Sequence, residues 1–554
     1  MRSESFSSEN RAMPGQDLTS LLESRRHSPS PMLIERDHAV SYATIADEAT
    51  RLASGLGSLG VRAGDRVAVW MPNVPAWIAL FFACARLGAI MVSMNTRFRS
   101  HEVADILSRS GAKVLAFWPG FRGVDFAAIL QACDATALER LETLVVYRET
   151  GDAPTGGSVA GKHAAEYAAL AASPPHEGPT AGSDSGCVIF TTSGTTKAPK
   201  FVLHDQARVT GHGFDVARAF GLDADAVMLL APPLCGVYGF CGLMAAFAAG
   251  RPLVMRPVWD AALAARDIVA HRVTHFNATD EAAHQLLRQS EAPVPFPSVR
   301  FAGCAAFNPA LGDIVERAAV RGLCLVGLYG TSEIQALFSR QSEDAPSSER
   351  KLGGGRLVGA AARVRARDPL SGRVLPHRES GELEFFAPGS RMVGYFGDPD
   401  ATAEAFTTDG YYRSGDLGYS TPDGGFVFLT RLGDALRLGG FLVSPAEIED
   451  VVLQLPGIEG CQVVAVTHEG ASRAVAFVIL QPGAVLDEPA LLAHVGSKLA
   501  KYKVPARVFA VDAFPVTTGA NGTKIQKHRL REMAQERLLG QQATPARGGS
   551  APGH

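Results

Sequence analysis

In CVIFTTSGTTKAPK, residues 187–200, an apolar strand runs directly into a cluster of small hydroxyl residues closed by Lys200. Backbone N–H groups and hydroxyls in such a turn can converge on a phosphate, and a lysine adds a positive charge. The GxxxxGK[ST] spacing of a Walker A loop is absent. Taken alone, the stretch fits a solvated Ser/Thr turn as well as a phosphate-binding loop.

Helical and strand patterns alternate on both sides of this loop. Apolar residues recur at helical spacing in residues 41–60 and 75–89, and short apolar runs at 65–71 and 90–94 predict buried strands. Such alternation predicts a layered α/β architecture with largely parallel sheets. The stretch 151–185 is rich in Ala, Gly and Pro, and we expect an irregular linker there.

A change of pattern near LTRLGDALRLGG, residues 429–440, predicts a second domain. Beyond it, helical and strand patterns follow in the order of a compact α+β unit. We therefore predict a large N-terminal α/β domain over residues 18–433 and a small, mobile α+β domain over residues 434–535. The polar residues 1–17 and 536–554 are expected to be disordered tails.

The bulk composition excludes several classes of partner. The chain has 554 residues, too many for one core, and a formal net charge of -3, which gives no reason to expect nucleic acid or an anionic membrane as a partner. The eight cysteines form no CxxC pair, and no apolar stretch resembles a signal peptide or a transmembrane helix. We expect a cytoplasmic protein with reduced thiols.

Four later segments also carry chemistry. In GLYGTSEI, residues 327–334, Tyr329 could stack on a base, and Glu333 could hold Mg²⁺ on a triphosphate. In GYYRSGDLG, Asp416 follows a glycine turn and could bind two ribose hydroxyls, although an aspartate in such a turn more often only closes it. The other two segments are LTRLGDALRLGGFLVSPAEIE, residues 429–449, and NGTKIQKHRLRE, residues 521–532.

In their order along the chain, the five segments resemble the motifs of the adenylate-forming superfamily, which includes acyl-CoA synthetases, free-standing adenylation domains and luciferases. The resemblance covers roughly residues 30–535 and implies that this chain has the fold of that family. The family's motifs read TSGTTGxPKG, YGxTE, YxTGD, GRxKDxIKxxGxxVxPxEIE and GKIxRR. This chain departs from them at Lys197, Phe201, Ser332, Thr430, Gly433 and Arg437.

The resemblance also implies a role for each matching residue. Lys524, Glu333 and Thr195 are implied as catalytic, Glu333 as the Mg²⁺ ligand and Asp434 as the hinge about which the small domain turns. Binding of the nucleotide or coenzyme A is implied for Thr192, Ser193, Gly194, Thr196, Lys200, Gly303, Tyr329, Gly330, Thr331, Ser332, Asp416, Arg431, Gly439 and Gly440.

In this family the acid pocket is walled by three segments, which here are CGVYGFCG, GCAAF and GLYGT, starting at residues 235, 303 and 327. Their apolar character favours an aryl or medium-length alkyl acid, and no aspartate is present to pair with an amino group. Asp280 and Glu281 either cap the helix that follows them or select a polar substrate. The predicted pocket residues are Cys235, Gly236, Tyr238, Cys304 and Gly327.

The implied function is ATP-dependent activation of a carboxylic acid to acyl-AMP, with release of pyrophosphate, followed by thioester formation with coenzyme A as co-substrate. The implied cofactors are ATP and Mg²⁺. Two alternatives stay open: a stand-alone enzyme that loads an acyl group onto the phosphopantetheine of an acyl carrier protein, and a non-catalytic relative that binds an acyl group or a nucleotide. A homodimer also stays open.

Overall fold

The computed structural model describes residues 16–149, 158–192, 199–306, 311–438, 441–468, 471–499, 501–519 and 522–542. Contacts within the chain divide it into two compact units. The first holds the described residues of Met1–Ala306, Leu311–Val364 and Phe385–Arg413, and the second holds those of Arg365–Glu384 and Ser414–His554.

One sheet of the first unit has nine described strands, of which the six from Gly186–Thr191 to Lys162–Glu166 are parallel. Alternate residues of the central strand Arg66–Trp70 enter two different apolar clusters, with Val67 in one and Ala68 in the other. The strand is buried on both faces, which explains its unbroken apolar sequence. In spatial order the strands are Gly394–Tyr395, Phe201–Asp205, Gly186–Thr191, Ile90–Ser93, Arg66–Trp70, Val114–Phe117, Thr143–Val146, Lys162–Glu166 and Ser158–Val159.

A second set of strands in the first unit is also largely parallel. The chain leaves Phe301–Ala305 and Leu325–Tyr329 at the same edge, where ligands of parallel sheets usually bind. In spatial order the strands are His38–Val40, Leu33–Glu35, Leu253–Met255, Met228–Leu230, His275–Thr279, Phe301–Ala305, Leu325–Tyr329, Ser339–Arg340 and Gly354–Leu357.

The helices of the first unit start and stop at recognisable signals. Ser41 caps the helix Tyr42–Ser58 by accepting a hydrogen bond from the Thr44 N–H, and Pro75–Leu87 begins with proline and ends at the left-handed Gly88. The others are Leu18–Ser24, Ser100–Ser110, Phe126–Gln131, Tyr167–Ala171, Gln206–Ala219, Val237–Ala249, Ala261–Ala270, Asp280–Leu287, Ile314–Val320, Ser347–Arg350 and Pro399–Glu404.

The second unit combines several small sheets with three helices, Pro445–Val452, Glu488–Lys498 and Lys527–Gln542. The four neighbouring strands Arg363–Arg367, Gly381–Phe386, Tyr412–Ser420 and Phe426–Arg431 fall largely within it. A three-stranded sheet is formed by Ile458–His468, Ala471–Leu480 and Arg507–Ala510, and hairpins by Leu436–Leu438 with Phe441–Val443 and by Val516–Gly519 with Gly522–Ile525.

The predicted fold class is confirmed: a mixed α/β protein with a large N-terminal part and a smaller α+β C-terminal part. The predicted domain boundary at residues 433 and 434 stays a prediction, since the two contact units meet along the chain at Arg413 and Ser414. In the described part of the chain, no helix has both the length and the apolar character needed to cross a membrane.

Two expectations about irregular segments were wrong. Residues 158–171, expected to be part of a linker, form two strands of the nine-stranded sheet and the helix Tyr167–Ala171. The strands consist largely of small or polar residues and so lack an alternating apolar pattern. In the helix that follows, Tyr167 and Leu170 are buried. The helix Lys527–Gln542 also continues beyond residue 535, where a disordered tail was expected, because Leu530, Ala534 and Leu538 form a buried stripe at helical spacing.

The end of that helix gives a test of its packing. Leu538 is buried with Phe477 and Phe509, so Leu538→Ala should lower the free energy of unfolding by about 2–5 kcal/mol in urea unfolding. The exposed Gln535, on the same helix, is the control, and Gln535→Ala should change it by less than about 0.5 kcal/mol. Equal effects of the two substitutions would contradict the packed helix end.

Candidate active site

The hydroxyl-rich loop is closed at its base by a pair of hydrogen bonds. The Thr192 N–H donates to the Lys200 carbonyl at 3.0 Å, and the Lys200 N–H donates to Thr192 Oγ1 at 3.2 Å. Phe201, found where the family usually has glycine, is buried and packs beneath the Arg109 guanidinium at 4.4 Å. The larger side chain of Phe201 is therefore accommodated in the core. Four predicted residues lie outside the described residues: Ser193, Gly194, Thr195 and Thr196.

A tyrosine connects the loop lysine with the predicted metal ligand. Lys200 Nζ lies 4.3 Å from the centre of the Tyr395 ring, and the Tyr395 hydroxyl donates to Glu333 Oε1 at 3.0 Å. Burial, followed by the charge of Glu333, raises the pKa of Tyr395, so its hydroxyl stays protonated and can donate. The main chain of Glu333 is also fixed, because its carbonyl accepts from the Met392 N–H at 2.6 Å.

Two buried histidines hold the segment around Glu333. His204 Nε2 donates to the Ser332 carbonyl at 2.8 Å, and His212 Nε2 donates to the Ala336 carbonyl at 2.7 Å. Between these carbonyls the backbone leaves its ordinary range, since Gln335 has φ 65°. The Gln335 side chain donates to the carbonyl of Arg208 at 3.0 Å. Glu333 therefore projects from a strained turn that is fastened on both sides.

Gly330 is required by this close packing. A Cβ at Gly330 would lie 2.6 Å from the Ala336 Cα atom. Beside it, Tyr329 is buried with its ring 5.3 Å from that of Phe385, and the buried Thr331 hydroxyl has no hydrogen-bond partner in the part of the chain that the structure describes. Their predicted contacts with a nucleotide stay predictions.

The structure brings the three predicted walls of the acid pocket together. The Tyr238 hydroxyl donates to the Ala278 carbonyl at 2.9 Å, Ala278 pairs with Cys304, and Cys304 pairs with Gly327 on the next strand. A Cβ at Gly327 would lie 2.0 Å from the Leu352 carbonyl oxygen, so glycine is required there.

Cys235, Cys304 and Gly236 stay predicted pocket residues. Burial raises the pKa of the Cys235 and Cys304 thiols to about 12, so neither is a thiolate at neutral pH. Gly236 is the N-cap of the helix Val237–Ala249, and a Cβ there would be in ordinary van der Waals contact with the Pro233 carbonyl oxygen, at 3.7 Å.

Asp280 and Glu281 begin the helix Asp280–Leu287, but Thr279 is the residue that caps it. Asp280 is 1% exposed, and its Oδ1 accepts from the Glu281 N–H at 2.8 Å. Glu281 Oε1 accepts from the Gln285 side chain at 2.9 Å. Both carboxylates therefore make hydrogen bonds at the start of the helix.

In the second unit, Asp416 and Arg431 face each other on paired antiparallel strands. Arg431 Nη1 lies 3.0 Å from Asp416 Oδ1, and Asp416 is buried whereas the arginine side chain is 60% exposed. Gly415, with φ 67°, provides the left-handed turn before the aspartate. The Ser414 hydroxyl accepts from the Asp416 N–H at 3.1 Å. Two predicted ribose- and phosphate-binding residues are thus adjacent.

The predicted hinge residue is also held by an arginine. Arg531 Nη2 lies 3.3 Å from Asp434 Oδ1 and donates to the Gly433 carbonyl at 3.2 Å. Lys524 lies on the strand Gly522–Ile525, paired with Thr517; its side chain lies outside the described part of the structure. Gly439 and Gly440 are also outside the described residues, between the hairpin strands Leu436–Leu438 and Phe441–Val443.

Comparison with known proteins gives this arrangement its family. A sequence model of the AMP-binding enzyme matches residues 23–396, and one of the AMP-binding enzyme C-terminal domain matches residues 447–520. The chain belongs to the AMP-binding enzyme family. It is 31% identical over 501 residues to a feruloyl-CoA synthase of Amycolatopsis sp, covering 89% of this chain and 94% of that protein.

Other relatives support the same family. The sulfoacetate–CoA ligase of Cupriavidus necator is 29% identical over 508 residues, with 90% of this chain and 94% of that protein covered. The crystal structure of ATP-bound MatB from Rhodopseudomonas palustris shares the fold, with a TM-score of 0.78, 23% identity and coverage of 94% and 99% of the two chains. The predicted resemblance and the predicted enzyme class, an AMP-forming acid–thiol ligase, are confirmed at the level of the family.

Three residues that contact the predicted site residues or their backbone were not predicted from the sequence: Tyr395, His204 and Arg531. Tyr395 lies in an inconspicuous GYFGD stretch, and a single aromatic residue carries no spacing signal. His204 and Arg531 act through contacts distant in sequence, 128 and 97 residues away from Ser332 and Asp434. Next to His204, Asp205 caps the helix Gln206–Ala219 by accepting a hydrogen bond from the Arg208 N–H.

The contact between Tyr395 and Glu333 predicts a graded loss of activity. Tyr395→Phe removes the hydroxyl but keeps the ring beneath Lys200, so pyrophosphate release should fall up to about tenfold. Tyr395→Leu removes both contacts and should lower the rate of pyrophosphate release further. In the control Tyr147→Phe, whose ring packs on Trp118, the rate should be unchanged. Full activity of Tyr395→Leu would rule out a role for this residue.

The buried histidines predict a pH-dependent stability. Burial lowers the pKa of both His204 and His212 from 6.5 to about 4, so below pH 6.5 the unfolded chain binds more protons than the folded one. The free energy of unfolding should therefore fall as the pH drops from 6.5 toward 4, by about 2 kcal/mol for each histidine between pH 7 and pH 5.

Urea unfolding at the two pH values measures this loss. The variant His204→Asn should show a smaller pH dependence than the wild type, by the contribution of one histidine. His528→Asn, at an exposed position, should keep the wild-type dependence. If the free energy of unfolding depends on pH equally in the wild type and in His204→Asn, His204 does not contribute to that dependence.

Proposed function

We propose that this chain joins a carboxylic acid to coenzyme A in two steps, using ATP and forming an acyl-AMP. The observation that carries the proposal is the set of contacts around Glu333, where Lys200, Tyr395 and a fastened backbone turn meet. A positive charge, a hydroxyl donor and a carboxylate in one place suit the phosphates of a nucleotide.

Glu333 fits the role of a Mg²⁺ ligand. It is a half-buried carboxylate whose Oε1 is oriented by Tyr395, and hard divalent cations prefer such oxygen donors. When bound, Mg²⁺ would offset the negative charge of the triphosphate. His204 keeps Glu333 in position through the Ser332 carbonyl.

In the first step a carboxylate oxygen of the acid forms a bond to the α-phosphorus, and the bond from that phosphorus to the β-phosphate oxygen breaks. Pyrophosphate then leaves. We assign Lys524 to the charge that develops on the α-phosphate, and Thr195 with Lys200 to the departing phosphates. Asp416 would hold the ribose, with Arg431 Nη1 beside it at 3.0 Å from its Oδ1.

In the second step the thiol sulfur of coenzyme A forms a bond to the acyl carbon, the bond to AMP breaks, and the thiol proton passes to solvent. We propose that Asp434 is the hinge for this step and that Gly439 and Gly440 line the path of the thiol. The contact of Arg531 with Asp434 supports a defined position for the hinge residue.

The acid is proposed to be an aryl or medium-length alkyl carboxylate. The support is the apolar character of the walls around Tyr238, Cys304 and Gly327 and the lack of a side chain at Gly236. Relatives named for feruloyl and sulfoacetate groups show how widely acids vary within this family. A cytoplasmic location fits the eight free cysteines.

The test is pyrophosphate release with Mg-ATP across a panel of aryl and alkyl acids, with and without coenzyme A. We expect release with some acids, acyl-CoA formation when coenzyme A is added, and a loss of at least about 100-fold in Lys524→Ala. The exposed Lys498 is the matched control, and Lys498→Ala should keep the wild-type rate.

Other outcomes would favour the alternatives. Adenylation that a holo carrier protein accelerates, and coenzyme A does not, would identify a carrier-loading enzyme. Binding of ATP without pyrophosphate release for any acid would overturn the catalytic proposal in favour of a binding protein.

A further inference from the structure

The strand His275–Thr279 carries a buried amide, that of Asn277, without a hydrogen-bond partner in the described part of the chain. Asn277 is 2% exposed, and neither its Oδ1 nor its Nδ2 atom has a hydrogen-bond partner among the described residues. Buried amides nearly always have partners, because an unpaired buried donor or acceptor is destabilising. Asn277 was not among the residues predicted from the sequence.

Asn277 lies where the three walls of the acid pocket meet. Its neighbour Ala278 accepts the hydrogen bond from the Tyr238 hydroxyl of the first wall. Asn277 pairs in register with Gly303 of the second wall. An ideal Cβ on Gly303 would lie 2.3 Å from Asn277 Oδ1 and 2.5 Å from Cδ1 of Leu328, which belongs to the third wall. The amide therefore occupies the space that the absent side chain of Gly303 leaves free.

We propose that Asn277 is a specificity-determining residue whose amide hydrogen-bonds an uncharged polar group, such as a hydroxyl or a ketone, on the acyl part of the substrate. This inference rests on the proposed function and narrows its substrate class. An amide offers both a donor and an acceptor, so it can bind either group. A site built to hydrogen-bond a substrate discriminates strongly against the analogue that lacks the group.

The surroundings favour a neutral group over a second anionic one. The buried Asp280 begins the helix that follows the same strand, and its charge contributes, after burial, to the raised pKa of the Cys304 thiol. An added carboxylate on the substrate would meet that negative charge in a medium of low polarity.

The experiment compares matched acids in the full-length enzyme. The probes are phenylpropanoic acid with its ring-hydroxylated analogue, hexanoic acid with its keto analogue, and a dicarboxylic acid of the same length. The wild type should use the polar neutral member of each pair with the higher kcat/KM and should reject the dicarboxylic acid. In Asn277→Leu, which is apolar and close in volume, this preference should fall by about tenfold or more.

Two controls separate specificity from folding. Asn277→Ser keeps a donor and an acceptor and should retain part of the preference. Gln462→Leu changes a buried amide of the second unit, whose Oε1 also has no described partner, and should leave the ratio between the acids unchanged. Thermal unfolding of each variant checks that it is folded.

The possible results distinguish the two proposals. If the wild type turns over both members of a pair and Asn277→Leu keeps the same ratio between them, the inference is wrong while the proposed function stands. A higher kcat/KM for the dicarboxylic acid than for the neutral polar acids would also overturn it. If the wild type activates no acid of the panel, the proposed function fails and the inference falls with it.

Discussion

The attachment of one strained turn to the core is the constraint on which the first unit's site depends. The carbonyls of Ser332 and Ala336 accept hydrogen bonds from buried imidazoles that the segment Phe201–Asp205 and the helix after it provide. Because these imidazoles are neutral and fully desolvated, each keeps its donor on the nitrogen that faces the turn. The same strand begins where the hydroxyl-rich loop ends, so the two phosphate-binding segments share one support.

This sharing explains why the site tolerates departures from the family's motifs. Phe201 replaces a glycine, yet its ring is taken up by the apolar cluster below the sheet and covered by Arg109. Ser332 replaces a threonine, but its contact with His204 is made by the carbonyl, which does not depend on the side chain. Side chains can vary where the backbone makes the contact.

The features that could be predicted from the sequence are those that hydrophobic periodicity or the order of the motifs indicates. The apolar runs became the buried strands Arg66–Trp70 and Ile90–Ser93, and the motif residues Asp416 and Arg431 lie opposite each other. Prediction failed where small residues hide a strand, as in Lys162–Glu166, and where a role depends on distant contacts. Tyr395 and Asn277 belong to this last group: their chemistry comes from the neighbours that the fold supplies, and local spacing does not encode those neighbours.

The pairing of Asp416 with Arg431 also has a consequence for how such sites diverge. The register shifts at Leu417 and Gly418, and a side chain at Gly418 would meet the Val427 carbonyl oxygen at 2.2 Å. One glycine thus fixes which residue faces the aspartate, since a slip of one residue would turn the arginine to the other side of the strand. The turn at residues 421–425 is itself held, because Gly424 has φ 83° and the Thr421 hydroxyl donates to Asp423 Oδ1 at 2.6 Å. Divergence that inserts or deletes one residue in this hairpin would therefore separate Arg431 from Asp416.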